Sequence, residues 1–186
     1  MPDLAIFHHT YGFLLRQAVG PAPYPNDFAL WVGTELRDRR LAERLAIIDP
    51  FGAGSIEDLR SALAATIEDH LRHMPVTPTL GQGEPFVFFQ SHNVPVATGH
   101  RASTLTEFRD CLAEVDASAF FFHIVEARFR LRRARSDFAE WLAGAAGRPD
   151  LADRVERIDP YVGTLERVRD RYLAVLDQAL EEDARR

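Results

Sequence analysis

"NDFALWVGTELRDRRLAERLAIIDP" at residues 26–50 aligns with "SDFAEWLAGAAGRPDLADRVERIDP" at residues 136–160 without a gap, and ten of the twenty-five positions are identical. The identities are Asp27/Asp137, Phe28/Phe138, Ala29/Ala139, Trp31/Trp141, Leu41/Leu151, Ala42/Ala152, Arg44/Arg154, Ile48/Ile158, Asp49/Asp159 and Pro50/Pro160. Both tryptophans of the chain fall inside the match. Working outward, residues 55–71 answer 164–180 after a one-residue deletion, and 5–16 answer 119–130, which pairs His9 with His123. The first copy carries four additional residues in its "PAPYP" loop. An internal duplication is therefore expected.

Each copy is expected to form four helices. In the first, Leu4, Phe7, Tyr11, Leu14, Leu15 and Ala18 keep helical spacing. Pro25-Asn26-Asp27 announces a second helix, with Asp27 expected as its cap. A short third helix over 39–47 stops at Asp49-Pro50, because proline has no N–H and crowds the residue before it. Ser55 to Asp58 resembles a capping box and opens a long final helix with Leu59, Leu63, Ile67 and Leu71 on one stripe. The second copy repeats this order from Ala119, with Asp137, Asp159 and Thr164 in the corresponding roles. "AFFFHIV" (119–125) has a strand-like composition, yet its partner segment and the following "EARFRLRR" predict a helix.

Between the copies, "HMPVTPTLGQGEP" (73–85) is a connector rich in turn-forming residues. "FVFFQ" and "VPVAT" around Ser91-His92-Asn93 predict a hairpin, with Pro95 confining its second strand to an edge. Thr104 and Glu107 form a capping box for a helix reaching Val115. The expected fold is mainly α: two tandem-duplicated helical modules packed together, with a small β-hairpin preceding the second. The boundaries are a first repeat over 1–73, a connector over 74–85, and hairpin plus second repeat over 86–186.

A chain of 186 residues with 46% hydrophobic and 27% charged residues suits a soluble globular protein. A net charge of −6 disfavours a nucleic-acid partner. Cys111 is the single cysteine, which excludes an internal disulfide and a cysteine metal cluster and fits a reducing compartment. The N-terminus lacks a basic leader followed by a clean apolar run. No stretch approaches the roughly 18 apolar residues of a membrane span. The expected location is the cytoplasm, with no membrane partner.

Several motifs resemble those of an uncharacterised prokaryotic family, the domain-of-unknown-function family numbered 5752. They are Phe121-Phe122-His123, Glu126-Ala127-Arg128, Ser136-Asp137-Phe138 with Trp141, Asp159-Pro160-Tyr161, and Thr164-Leu165-Glu166 with Arg169. The resemblance covers about residues 86–180 well and 5–71 more loosely. In the first copy Gly12-Phe13-Leu14 replaces Glu126-Ala127-Arg128, so a role that needs that acid and arginine belongs to the second copy. The family implies no activity.

The candidate site residues are His9, His123, Glu126, Asp27 and Asp137. His123 and Glu126 stand three apart and share a helix face. Two histidines with carboxylates suit a divalent cation inside a bundle, but a dimetal bundle wants two Glu-x-x-His pairs and the chain offers one in reverse. No metal site is therefore assigned. The competing structural reading makes Asp27 and Asp137 helix caps, Asp49 and Asp159 helix stops, and Trp31 and Trp141 core residues, with a half-buried histidine donating to the cap or to a carbonyl. His8, His70, His73, His92 and His100 show no ligand spacing. "RFRLRRAR" (128–135) holds five arginines. Arg128, Arg132 and Arg135 share a face able to fork onto phosphate or carboxylate, unless acids of the same fold pair with them.

The leading expectation is a non-enzymatic binding or assembly module. The rival is a metal- or anion-dependent enzyme using His123, Glu126 and the Arg128–Arg135 face. No motif specifies a cofactor. The partner is a small anion or a protein, and an open hairpin edge allows self-association.

Overall fold

The computed structural model describes residues 3–16, 22–75, 83–92, 94–128, 135–160 and 162–185. Ala18, the turn residue Asn93, Arg132 and Tyr161 lie outside these residues. The helices of the first part are α1 (Asp3–His9), α2 (Tyr11–Arg16), α3 (Asp27–Thr34), α4 (Arg39–Ala46) and α5 (Ile56–Arg72). Those of the second are α6 (Leu105–Glu114), α7 (Ala117–Phe121), a π-helical turn (Phe122–Glu126), α8 (Asp137–Ala143), α9 (Pro149–Glu156) and α10 (Leu165–Ala184). The chain divides into two compact units, Met1–Asn93 and Val94–Arg186.

Polar side chains that take orphan N–H groups of the first turn set most of the helix starts, while α9 begins on Pro149 with no side-chain cap. Ser55 accepts from the Asp58 N–H, Thr164 from the Arg167 N–H, and Thr104 with Glu107 closes a full capping box. The second helix expected of each copy, α3 in the first unit and α8 in the second, differs from expectation by one residue. Its caps are Asn26 and Ser136, which accept from the N–H groups of Ala29 and Ala139, rather than Asp27 and Asp137. Both cap side chains are buried and make further bonds. Asn26 also donates to the Leu45 carbonyl, and Ser136 to Glu156. The aspartates stand at the first helical position, where the helix dipole favours a carboxylate that remains available for another partner.

The helix expected over 4–18 is broken at Thr10, whose hydroxyl donates to the Ile6 carbonyl at 2.7 Å, a back-bond that bends helices. The described part of the matching stretch, residues 119–128, is helical, as its period predicts, and winds one π turn at Phe122–Glu126.

In the first unit α3 packs on α4, α4 on α5, and α1 on α2 and α5; in the second, α8 packs on α9, and α10 on α6, α7 and α9. Residues matched in the alignment share burial. Ala29 and Ala139, Val32 and Leu142, Leu41 and Leu151, Leu45 and Val155, Leu59 and Val168, and Leu63 and Tyr172 are all buried. Each of the larger side chains contributes about 1.5–3 kcal/mol by leaving water. Pro50, the stop after α4, is buried and its carbonyl accepts from the Tyr11 hydroxyl. Near the end of α5 the apolar stripe gives way: Leu71 is exposed, while His70 is buried and bonds Asp38, the cap of α4, at 2.7 Å. The turn after the second helix also repeats, with Arg37 (φ 55°) and Gly147 (φ 64°) both in the left-handed region.

The expected hairpin is absent. Among the described residues of 83–98 there is no strand. Residues 83–92 run extended along the first unit, and helix side chains satisfy their backbone. Trp31 Nε1 donates to the Glu84 carbonyl at 2.8 Å, Glu35 accepts from the Glu84 N–H at 2.9 Å, and His9 accepts from the Phe89 N–H at 2.8 Å. The alternating pattern reports extended backbone, but here its hydrogen bonds go to side chains. Phe86 turns in while Val87 stays exposed.

Candidate functional site

Each unit contains the same histidine–aspartate pair on matched elements, one sealed and one open. In the first unit His9, at the end of α1, places Nδ1 2.7 Å from Asp27 at the start of α3. A carboxylate only accepts, so Nδ1 carries the proton and Nε2 presents a lone pair, which the Phe89 N–H fills. Rings of Phe28 and Phe86 lie 5.5 and 4.8 Å from the imidazole, and His9 is 3% exposed.

His8, His9 and Asp27 offer ligand atoms within 4.8 Å of one another. Their donor atoms are already engaged. Arg16 donates to Asp27 and to His8 Nε2, and His8 Nδ1 faces the Ser91 hydroxyl. The guanidinium of Arg16 thus supplies the positive charge of this cluster. Burial, then Arg16 and His9, hold the pKa of His8 below its usual value, against the pull of Asp27.

In the second unit His123, on the π turn, places Nδ1 3.0 Å from Asp137 at the start of α8. Asp137 fixes the ring so that Nε2 is again the acceptor. The imidazole lies 5.0 Å from Phe138, yet its side chain is 41% exposed. It opens into a cavity of about 300 Å³, at the small end of ligand pockets. Phe108, Phe138 and Trp141 form its aromatic wall, and Phe108 stacks on Trp141 at 4.7 Å. Cys111, His100 and Arg101 complete one side, with the Cys111 thiol donating to the Arg101 carbonyl at 3.5 Å. Trp31 and Trp141 are both half-buried.

Acids take up the described part of the arginine face. Arg128 donates to Glu156 at 2.7 Å and Arg135 to Asp153 at 2.7 Å. Glu156 also holds the cap Ser136, and it adds to the burial that pushes up the pKa of Tyr172. Glu126 is half-buried on the π turn. Asp49 accepts from the Phe51 N–H, and the Asp159 carbonyl accepts from Arg171. A second hollow of about 250 Å³ lies between Arg40, Arg44 and the end of α5, where Arg44, Arg72 and His73 converge on Asp69.

Sequence spacing overlooked His8, Arg16 and the His70–Asp38 bond, because their partners stand 8 to 83 positions away. The two pairs left a stronger trace. His9 and Asp27 are 18 apart and His123 and Asp137 are 14 apart, so both residue types persist across a loop of different length.

The profile of a family of unknown function, DUF5752, matches residues 1–177. Among solved structures the chain is similar to OrfY from Thermoproteus tenax, with 30% identity, a TM-score of 0.79, and coverage of 96% of this chain and 80% of that one. No curated protein matches the chain.

Proposed function

We propose a binding function from the following premise: the chain belongs to DUF5752, a family of unknown function. In this reading the protein is a non-enzymatic binding module in which two units descend from one helical ancestor, and the second has kept its pocket open. The single observation that carries it is the contrast between the two pairs: His9 is 3% exposed and plugged by residues 83–92, whereas His123 is 41% exposed beside a cavity. Common descent is supported by the matched burial, the matched left-handed turn and the repeated His–Asp bond. Among the described residues no helix is long and apolar enough to cross a membrane.

A thermal-shift panel of amides, carboxylates, nucleotides and sugar phosphates tests the reading. A ligand should raise the melting temperature of the native protein and do so less in His123→Asn. A flat panel, or shifts that ignore His123, overturns it.

One observation favours a second, enzymatic reading. Cys111 lines the cavity that His123 opens into, and a His held by Asp is the usual activator of a nucleophile. In that case alkylation of Cys111 by iodoacetamide would slow at least tenfold in His123→Asn at neutral pH. An unchanged rate removes this reading.

A further inference from the structure

We propose that the pocket of the second unit binds an extended peptide segment bearing an aromatic side chain, held as the first unit holds its own residues 84–89. This rests on the binding reading above and names its ligand class.

The first unit displays the bound form. Trp31 donates its indole N–H to the carbonyl of Glu84 at 2.8 Å. Two residues on, the ring of Phe86 stacks on Phe28 at 5.2 Å and 17° and meets Trp31 edge to face at 5.7 Å. Three residues further, the Phe89 N–H reaches His9 Nε2 at 2.8 Å. With the Glu84 N–H held by Glu35, one carbonyl, one ring and two N–H groups are thus read along six extended residues. This is peptide recognition by alternate contacts, made by helix side chains instead of a sheet edge.

The second unit repeats the reading groups, and among the described residues no extended segment bonds them, although Thr98, His100, Arg101 and Ala102 line the same cavity. Trp141, Phe138 and His123 match Trp31, Phe28 and His9 in the alignment. Among the described residues, neither the Trp141 indole N–H nor His123 Nε2 has a hydrogen-bond partner, and in the neutral ring the Asp137 contact at Nδ1 leaves Nε2 as the acceptor. Phe108 stacks on Trp141 at 4.7 Å and meets Phe138 edge on at 5.3 Å, so it holds from within the unit the ring place that Phe86 holds in the first, and an incoming aromatic group has the half-exposed imidazole to lie against. The position of Glu35 is taken by Ala145, so the carboxylate that fixes the Glu84 N–H is missing. His100, which faces Glu114 at 3.8 Å, and Arg101 line the cavity, and the arginine favours an acidic residue in the peptide.

The probe is the acetylated, amidated peptide of residues 83–91, GEPFVFFQS, titrated into the full chain carrying Trp31→Phe, in which Trp141 is the sole indole. A saturable change in Trp141 fluorescence is expected. Adding His123→Ala should weaken binding about five- to tenfold, the equivalent of one net hydrogen bond, and replacing the peptide's phenylalanines by alanine should abolish it. Calorimetry on the native protein and on His123→Ala gives the same comparison independently of the Trp31 variant. The proposal is overturned if no saturable binding is seen by calorimetry on the native protein. It is equally overturned if binding ignores His123 and is lost in His9→Ala, because the peptide then merely exchanges with the first unit's own segment. Should the peptide fail while a compound from the thermal-shift panel binds through His123, the peptide assignment falls and the pocket reading stands. If both fail, both fall.

Discussion

Replacing Arg37 by glycine should stabilise the protein, although it removes a whole side chain. Arg37 and Gly147 hold matched places in the turn after the second helix of each unit, at φ 55° and 64°. Both turns close alike, with the Asp38 N–H on the Val32 carbonyl at 3.1 Å and the Arg148 N–H on the Leu142 carbonyl at 2.8 Å. Left-handed backbone costs an L-residue roughly 1–2 kcal/mol. Glycine escapes that cost but gives the unfolded chain more freedom, which offsets roughly 0.5–1 kcal/mol. Arg37 is exposed, and among the described residues its side chain makes no hydrogen bond or ion pair, so little else enters the difference. The net gain expected for Arg37→Gly is about 0.5–1 kcal/mol, or a rise in Tm of roughly 1–4 °C for a chain of this size. Gly147→Ala should lose a similar amount through its backbone alone, because a Cβ there meets nothing within 4 Å. Urea melts and calorimetry on the two variants provide the measurement. A lower Tm for Arg37→Gly, or a higher one for Gly147→Ala, refutes the reasoning.

The two His–Asp pairs should respond unequally. His9→Ala removes a buried imidazole and leaves Asp27 and the Phe89 N–H without it, and should cost about 2–3 kcal/mol, whereas His123→Ala at a half-open site should cost about 1 kcal/mol or less, as read from urea melts. Acid should weaken the first unit. The folded pKa of His8 is lowered from 6.5, so its contribution is complete above that pH and declines as pH falls toward the folded value; His8→Gln should flatten this part of a Tm profile. Burial raises the pKa of Asp38, but the Leu41 N–H and His70 outweigh it and leave the value below 3.8. Its contribution is present above that pH and is lost as pH falls through the folded value, and Asp38→Asn should remove this acid limb. Thr104→Ala should cost about 1 kcal/mol by opening the capping box of α6, measured as a lower Tm.

The helical framework was legible because capping and stopping are local events. Ser55, Thr104 and Thr164 cap where their spacing to the next apolar run predicts. Asp27 and Asp137 misled by one position, since Asn26-Asp27 and Ser136-Asp137 each contain two competent caps and only the fold decides which one is buried. The segment 83–92 misled further. Its alternation is the same whether its hydrogen bonds go to a neighbouring strand or to Trp31, Glu35 and His9, and those partners lie about 50 to 80 residues away. The open state of His123 was not legible at all. It depends on which backbone comes to rest over an imidazole, and the His, Asp, Phe and Trp of the two sites are the same in both units.

The π turn at Phe122–Glu126 gives the chain a place where its length can change. Such a turn is an ordinary helix holding one residue too many, so a single deletion there returns the stretch to α winding. The same deletion in the middle of α10 would rotate everything beyond it by about 100° and carry half of the Val168–Tyr172–Leu176–Ala179 stripe into water. At the π turn the rotation instead swings His123 away from Asp137. Folding would survive that shortening, and the imidazole would lose its bearing.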